Sequence, residues 1–158
     1  MKQSRLYETH VYTKNLEQAV EFYEKKLELE LAYIIQERGV AFFFLGEPGK
    51  KEFLLGIWEV PENKFRPNHF AFYLPMDKFM EVPSFLESKE IEILGDFGLD
   101  NSEPIVHSWQ PAASYYFSDP DGNSLEYLTL LEGESRPELG AIHLSEWQKI
   151  NNLSTIKA

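Results

Sequence analysis

One order of elements occurs twice in this chain, about 60 residues apart, and that repetition narrows the folds open to it. Tyr7 to Thr13 (YETHVYT) is aromatic and β-branched, as strands prefer. Asn15 can cap a following helix, in which Leu16, Ala19, Val20, Tyr23 and Leu27 recur at helical spacing. Three strands are predicted next, over Leu29 to Gln36, Val40 to Leu45 and Glu52 to Val60, separated by Gly39 and by the Gly-Glu-Pro-Gly turn at 46–49. The order then starts again with a strand over Asn68 to Leu74. A helix from about Asp77 to Lys89 follows, with Pro83 near its first turn or kinking it, then a short strand over Glu90 to Leu94. Tyr115 to Phe117 and Ser124 to Leu131 are predicted to form a hairpin about Asp119-Pro120-Asp121-Gly122. His10-Val11 is echoed by His69-Phe70, and Phe22-Tyr23-Glu24-Lys25-Lys26 by Phe85-Leu86-Glu87-Ser88-Lys89. These patterns predict an α+β chain of two βαβββ modules, 5–60 and 67–131, within one domain over 1–131. A C-terminal extension over 132–158, with a short helical piece around Ser145 to Ile150, is expected on the surface or against a partner subunit.

Composition closes off several classes of function. The 158 residues are 43% hydrophobic and 15% aromatic, enough for a core without covalent staples. Only 15 basic residues face 26 acidic ones, for a net charge of −11, and no basic run exists to displace the counterions of a nucleic acid or to hold an anionic membrane. The absence of cysteine excludes disulfides, thiolate metal sites and cysteine nucleophiles. No apolar run approaches the roughly 18 residues of a membrane span, and Met1 to Arg5 shows no apolar signal region, so a cytoplasmic protein is expected. There is no glycine-rich phosphate loop and no Ser-His-Asp or Ser-Lys signature.

Alternation along strands assembles the residues that could carry chemistry. Glu8, His10 and Tyr12 share one face of the first strand; His69, Ala71 and Tyr73 share one face of the fifth; Ser124, Glu126 and Leu128 share one face of the last. If the modules curl into one open cup, these faces can converge on its floor. Imidazole and carboxylate groups so placed suit Fe, Mn, Ni or Zn as a divalent ion. Glu126 is a charge in an apolar strand, where a carboxylate needs a partner. His107 and Trp109 lie in the loop between Gly95 and Ala113, which can lid the cup, or the histidine can serve only to hydrogen-bond the loop. Tyr12, His107 and Trp109 are the candidate substrate-pocket residues. Phe42-Phe43-Phe44 reads as core and cup lining, and His143 is assigned no role.

Three stretches carry a family resemblance over about residues 5–131. Asn15 to Leu29, with Phe22-Tyr23 ahead of a leucine-rich strand, is similar to the first-module helix of the vicinal oxygen chelate superfamily, which includes glyoxalases, bleomycin-resistance proteins and extradiol dioxygenases. His69-Phe70-Ala71-Phe72 resembles its second-module metal strand. Tyr116-Phe117-Ser118-Asp119-Pro120-Asp121-Gly122-Asn123-Ser124-Leu125-Glu126 resembles its most recognisable signature. The resemblance implies the open-cup fold, a divalent metal ion, and His69 and Glu126 as ligands. The family's first ligand position falls on Glu8, while His10 faces the same way two residues on; His10 is preferred and Glu8 is the alternative. The fourth-strand glutamate of glyoxalase-type sites has no clear counterpart, since Leu55-Gly56-Ile57 stands near its place and Glu59 is displaced towards the strand end. Three ligands with open positions remain, which leaves room for a chelating substrate. The resemblance thus implies a metal-dependent lyase or oxygenase acting on a small molecule with adjacent oxygens, working as a homodimer. Few arginines (Arg5, Arg38, Arg66 and Arg136) count against a phosphonate substrate. Two alternatives stand beside it: a metal-free binding protein of the antibiotic-sequestering kind, for which a cationic planar ligand suits the aromatics and negative charge, and a domain that only keeps the fold.

Overall fold

The computed structural model of the chain describes residues 6–152. Residue 5, at the start of the first expected module, and residues 153–158 of the expected extension lie outside the described residues. The chain divides into two compact units, one of residues 1–68 with 119–123, the other of residues 69–118 with 124–158.

In the first unit β1 (Glu8–Thr13) leads into helix α1 (Leu16–Glu21), which continues through a wider turn over Phe22–Lys26. Asn15 caps α1 by accepting from the Gln18 N–H, as its residue type predicts. Strands β2 (Glu30–Ile35), β3 (Val40–Leu45) and β4 (Phe53–Glu59) follow, in the sheet order β1-β4-β3-β2. β1 runs parallel to β4 and the other pairs are antiparallel. Leu16, Ala19, Phe22 and Tyr23 bury one helical stripe together with Val11, Val40, Phe43, Leu55 and Ile57. Such a stripe is what makes so short a helix stable, because an isolated helix of this length gains too little from its own hydrogen bonds.

The second unit repeats this order with insertions. β5 (His69–Tyr73) is followed by α2 (Met76–Phe79) and α3 (Val82–Ser88), then β6 (Ile105–His107), β7 (Ala112–Ser118) and β8 (Ser124–Leu130). The sheet order is β5-β8-β7-β6-β9, with β5 parallel to β8. The first four positions reproduce the order of the first unit, so the chain is α+β with one strand plan used twice. The expected single helix is two, because Pro83 in the first turn of α3 supplies no N–H to a preceding turn. Phe79, Val82 and Leu86 are buried, and the Phe79 ring stacks on Tyr115 at 5.0 Å.

Two expectations need correction. Glu90 to Leu94 forms no strand; Leu94 alone bridges Tyr116, and the strand that takes this place in the sheet is β6, inside the expected loop. Left-handed backbone at Glu90 and Phe97 breaks the extended path on both sides of Leu94. Of the expected surface extension, residues 132–135 are exposed, but residues 141–150 are built into the second unit. β9 (Ala141–His143) pairs antiparallel with β6, and α4 (Leu144–Ile150) buries Trp147 completely. Among the described residues no helix is long and apolar enough to cross a membrane.

Candidate functional site

Alternation on β5, β7 and β8 turns one face of the second sheet away from the helices. Register places Glu126 between Ala71 on β5 and Tyr116 on β7, and His69 beside Ser124. These positions floor a cavity of about 620 Å³ whose walls include His107, Trp109 and Phe97. Four of the residues singled out from sequence therefore meet in one cavity: His69, His107, Trp109 and Glu126.

Glu126 is only 4% exposed, and both its oxygens are engaged. Ser114 Oγ donates to Oε1, and His69 Nε2 stands 3.2 Å from Oε2. His69 Nδ1 lies 3.1 Å from Ser124 Oγ. Because a carboxylate only accepts, the neutral ring carries its proton on Nε2 and donates it to Glu126, while Nδ1 accepts from Ser124 Oγ; a metal ion on Nε2 would need that proton moved to Nδ1, with Ser124 Oγ then accepting it. Across the floor, Tyr116 OH lies 2.5 Å from His107 Nε2. Burial first, and then the negative charge of Glu126, push the Tyr116 hydroxyl well above the ordinary tyrosine range. It stays protonated at any physiological pH, able to accept from one side and donate to the other.

The first unit carries its own constellation on the exposed face of β1. Glu8 Oε1 is 2.7 Å from His10 Nε2, and Trp58 Nε1 donates to His10 Nδ1 at 2.5 Å. A neutral imidazole whose Nδ1 accepts must carry its proton on Nε2, so His10 donates to Glu8 and keeps no lone pair. Arg38 stacks over the Trp58 ring at 4.7 Å, which holds the indole in place. Tyr12 shares this face, half-exposed beside Trp58 in register. Among the described residues no three His, Asp or Glu side chains are gathered as a metal ion would need; two His–Glu pairs are found, one in each unit.

The missing fourth-strand glutamate has a structural explanation. Gly56 stands opposite His10, and a Cβ there would lie 2.5 Å from His10 Nδ1, so the imidazole occupies the space a side chain on β4 would take. Glu59, one register step past Trp58, instead accepts from the Leu16 N–H at 2.8 Å and caps α1. Gly56→Ala is expected to push the imidazole off Trp58 at a cost of about 1 kcal/mol, since the half-buried indole loses its acceptor and the ring must move. A lower urea midpoint together with altered tryptophan fluorescence checks this; unchanged values for both would contradict the packing.

Tyr116, Ser114, Phe97 and Trp58 are the site residues that the sequence reading missed. For Ser114 and Tyr116 the signal was available, because they alternate with the helix-facing Ala113, Tyr115 and Phe117, but only once β7 is started at Ala112.

Comparison with known proteins adds to this geometry. The family model for the Glyoxalase/Bleomycin resistance protein/Dioxygenase superfamily matches residues 5–127. An integron cassette protein from the mobile metagenome of the Halifax Harbour sewage outfall is 27% identical with a TM-score of 0.67, over 81% of this chain and 100% of that one. A glyoxalase/bleomycin resistance protein/dioxygenase from Nocardioides is 26% identical with a TM-score of 0.59, over 85% and 89%. A lactoylglutathione lyase from Agrobacterium tumefaciens shares the fold at 23% identity, TM-score 0.62, over 82% and 96%.

Proposed function

We propose, on the premise that the chain belongs to the Glyoxalase/Bleomycin resistance protein/Dioxygenase superfamily, that it is a metal-dependent enzyme acting on a small molecule with two adjacent oxygens. Members of this superfamily commonly use divalent metals and act on small molecules, as lyases or oxidases. The observation that carries the reading is the His69–Glu126 pair: a buried carboxylate at the floor of a cavity, faced by an imidazole whose other nitrogen has Ser124 as its partner. A borderline-hard divalent ion suits one imidazole and one carboxylate. Once bound, such an ion supplies Lewis acidity to the oxygens of the substrate.

His69 and Glu126 are two donors in this reading. Glu8 and His10 are the candidates the sequence offers for a third donor, and they form their own pair in the first unit. As long as Trp58 holds His10 Nδ1, Glu8 is the better candidate, oriented by the His10 N–H, and His10 itself becomes a ligand only if its ring leaves Trp58. Tyr116 and His107 complete the chemistry. The Tyr116 hydroxyl, kept protonated, can donate a hydrogen bond to a developing oxyanion while accepting one from His107 Nε2.

The test is metal content. Protein loaded with excess Mn2+ and then desalted is expected to retain about one ion per chain, and His69→Ala and Glu126→Ala to retain less than about a tenth of that, in keeping with the cost of losing a ligand. Glu8→Ala should lose the ion while His10→Ala weakens it; the reverse order would put the imidazole on the metal. Wild-type protein that holds no Mn2+, Fe2+, Ni2+ or Zn2+ under these conditions overturns the enzyme reading. It would favour a metal-free binding protein, for which the direct 3.2 Å contact of His69 with Glu126 is the supporting observation, since it satisfies both groups unaided.

A further inference from the structure

The walls of the 620 Å³ cavity are built for one kind of ligand by two features that its floor does not need. The first is a pair of exposed rings. Phe97 is 59% exposed and Trp109 is also 59% exposed, yet both line the cavity. Both stand on a fixed backbone. Phe97 has a left-handed backbone with φ 52°, next to Gly98 at φ 77°, in a tight turn closed by the Leu99 N–H to Asp96 O bond at 2.9 Å. Gly95 is pressed so closely on Leu99 O that a Cβ would lie 2.3 Å from it. The turn sets the Phe97 ring edge-on to His107 at 4.9 Å and 6.2 Å from Tyr116. Trp109 is held from behind, where its carbonyl accepts from Ser135 Oγ and the Ser108 carbonyl accepts from the Arg136 N–H. The ring's edge contacts with His107 and Tyr116 offset only part of the cost of an unfavourable backbone that leaves most of a large apolar ring in water; a ligand lying on the ring supplies the rest.

The second feature is charge. Among the described residues no lysine or arginine lines this cavity and its carboxylates are Asp96 and Glu126, while the chain as a whole carries a net charge of −11. In the metal-free protein an anionic ligand would meet two negative side chains at short range and no cationic one. A cation would meet Asp96 at the rim and aromatic faces along the wall.

We infer that the cavity takes a planar aromatic molecule that is uncharged or cationic, and that Phe97, Trp109 and Asp96 set this preference. The volume admits about two to three fused rings. The inference deepens the proposed function and rests on it only in taking this cavity as the substrate's place.

The experiment uses the full chain, stripped of metal with EDTA, and three naphthalene probes of one size: 2-naphthylmethylammonium, 2-naphthol and 2-naphthoate. None has adjacent oxygens, so the result does not depend on a metal. Titration calorimetry is expected to show the cation and the neutral probe bound at least tenfold tighter than the anion. Phe97→Ala should weaken both of these by about tenfold while leaving the thermal midpoint unchanged, because an exposed ring in a left-handed turn contributes little to folding. Asp96→Asn should cut the advantage of the cation over the neutral probe without weakening the neutral one. Equal or tighter binding of 2-naphthoate, or affinities indifferent to Phe97→Ala, would overturn the inference. Loss of metal binding with this selectivity intact would remove the metal reading alone.

Discussion

Asp119→Ala is expected to lower the thermal midpoint by on the order of 10 °C and to cost roughly 3–5 kcal/mol, more than any single change at the cavity. The reason lies in how many donors one buried carboxylate serves. Asp119 is 6% exposed; its Oδ1 accepts from the N–H groups of Asp121 and Asn123, and its Oδ2 from Tyr23 OH and from Asn123 Nδ2. Asn123 passes the connection on, donating to the Tyr12 carbonyl and accepting from the Asn68 N–H. Thr13 Oγ1 meanwhile donates to Asp121. Alanine strands two backbone and two side-chain donors in a dry interior, and each unsatisfied group costs about 1–3 kcal/mol before relaxation. Burial first, and then the charge of Asp119, raise the Tyr23 hydroxyl far above the usual tyrosine range, so Tyr23 remains a neutral donor to the carboxylate. Differential scanning calorimetry of Asp119→Ala beside Tyr23→Phe measures the effect. Tyr23→Phe removes one donor and leaves no donor stranded, so it should cost about 1 kcal/mol. Equal losses for the two variants would refute the shared-acceptor account.

The second large effect is expected from Trp147→Ala, about 3–5 kcal/mol. The indole is fully buried, and its Nε1 donates to the Glu132 carbonyl at 3.2 Å. Gly133 accommodates it, for a Cβ there would meet the ring at 2.7 Å and the backbone holds φ 124°. The start of α4 is tied to the β6 side of the sheet by the Leu144 N–H to Pro104 O bond and by Ser145 donating to Glu103. Loss of the indole should therefore loosen β9 first. Hydrogen exchange would report it as faster exchange of the amides of residues 141–143, with β5 and β8 little changed. Uniform acceleration across the second sheet would mean that β9 is no separate anchor.

Much of this was legible in the residues. The repeated strand order, the cap at Asn15, and the faces of β1, β5 and β8 follow from short-range rules of spacing and alternation, and the structure has each of them. The DPDGN stretch was read as a turn, which it is; that its Asp119 and Asn123 are buried acceptors and donors for Tyr23 and Tyr12 is a long-range property that no local pattern carries. β6 and β9 were invisible because three residues are too few to show alternation against their surroundings. The same limit hid Phe97. Its position over the cavity depends on a left-handed turn that an Asp-Phe-Gly run does not announce, phenylalanine being a poor choice for that conformation. The pairing of His10 with Trp58 required the strand register, which sets Gly56 opposite the imidazole.

The interruption between Leu94 and β6 also bears on how this chain can change. Both sides of the excursion are pinned to the same neighbouring strand, at Tyr116 and at Ser114, so the ten residues from 95 to 104 begin and end on a rail already laid. Lengthening or shortening such a span alters closure entropy only slowly, roughly 0.6 kcal/mol for each doubling. Descendants of this chain can therefore trade one cavity wall for another while the strands beneath keep their places.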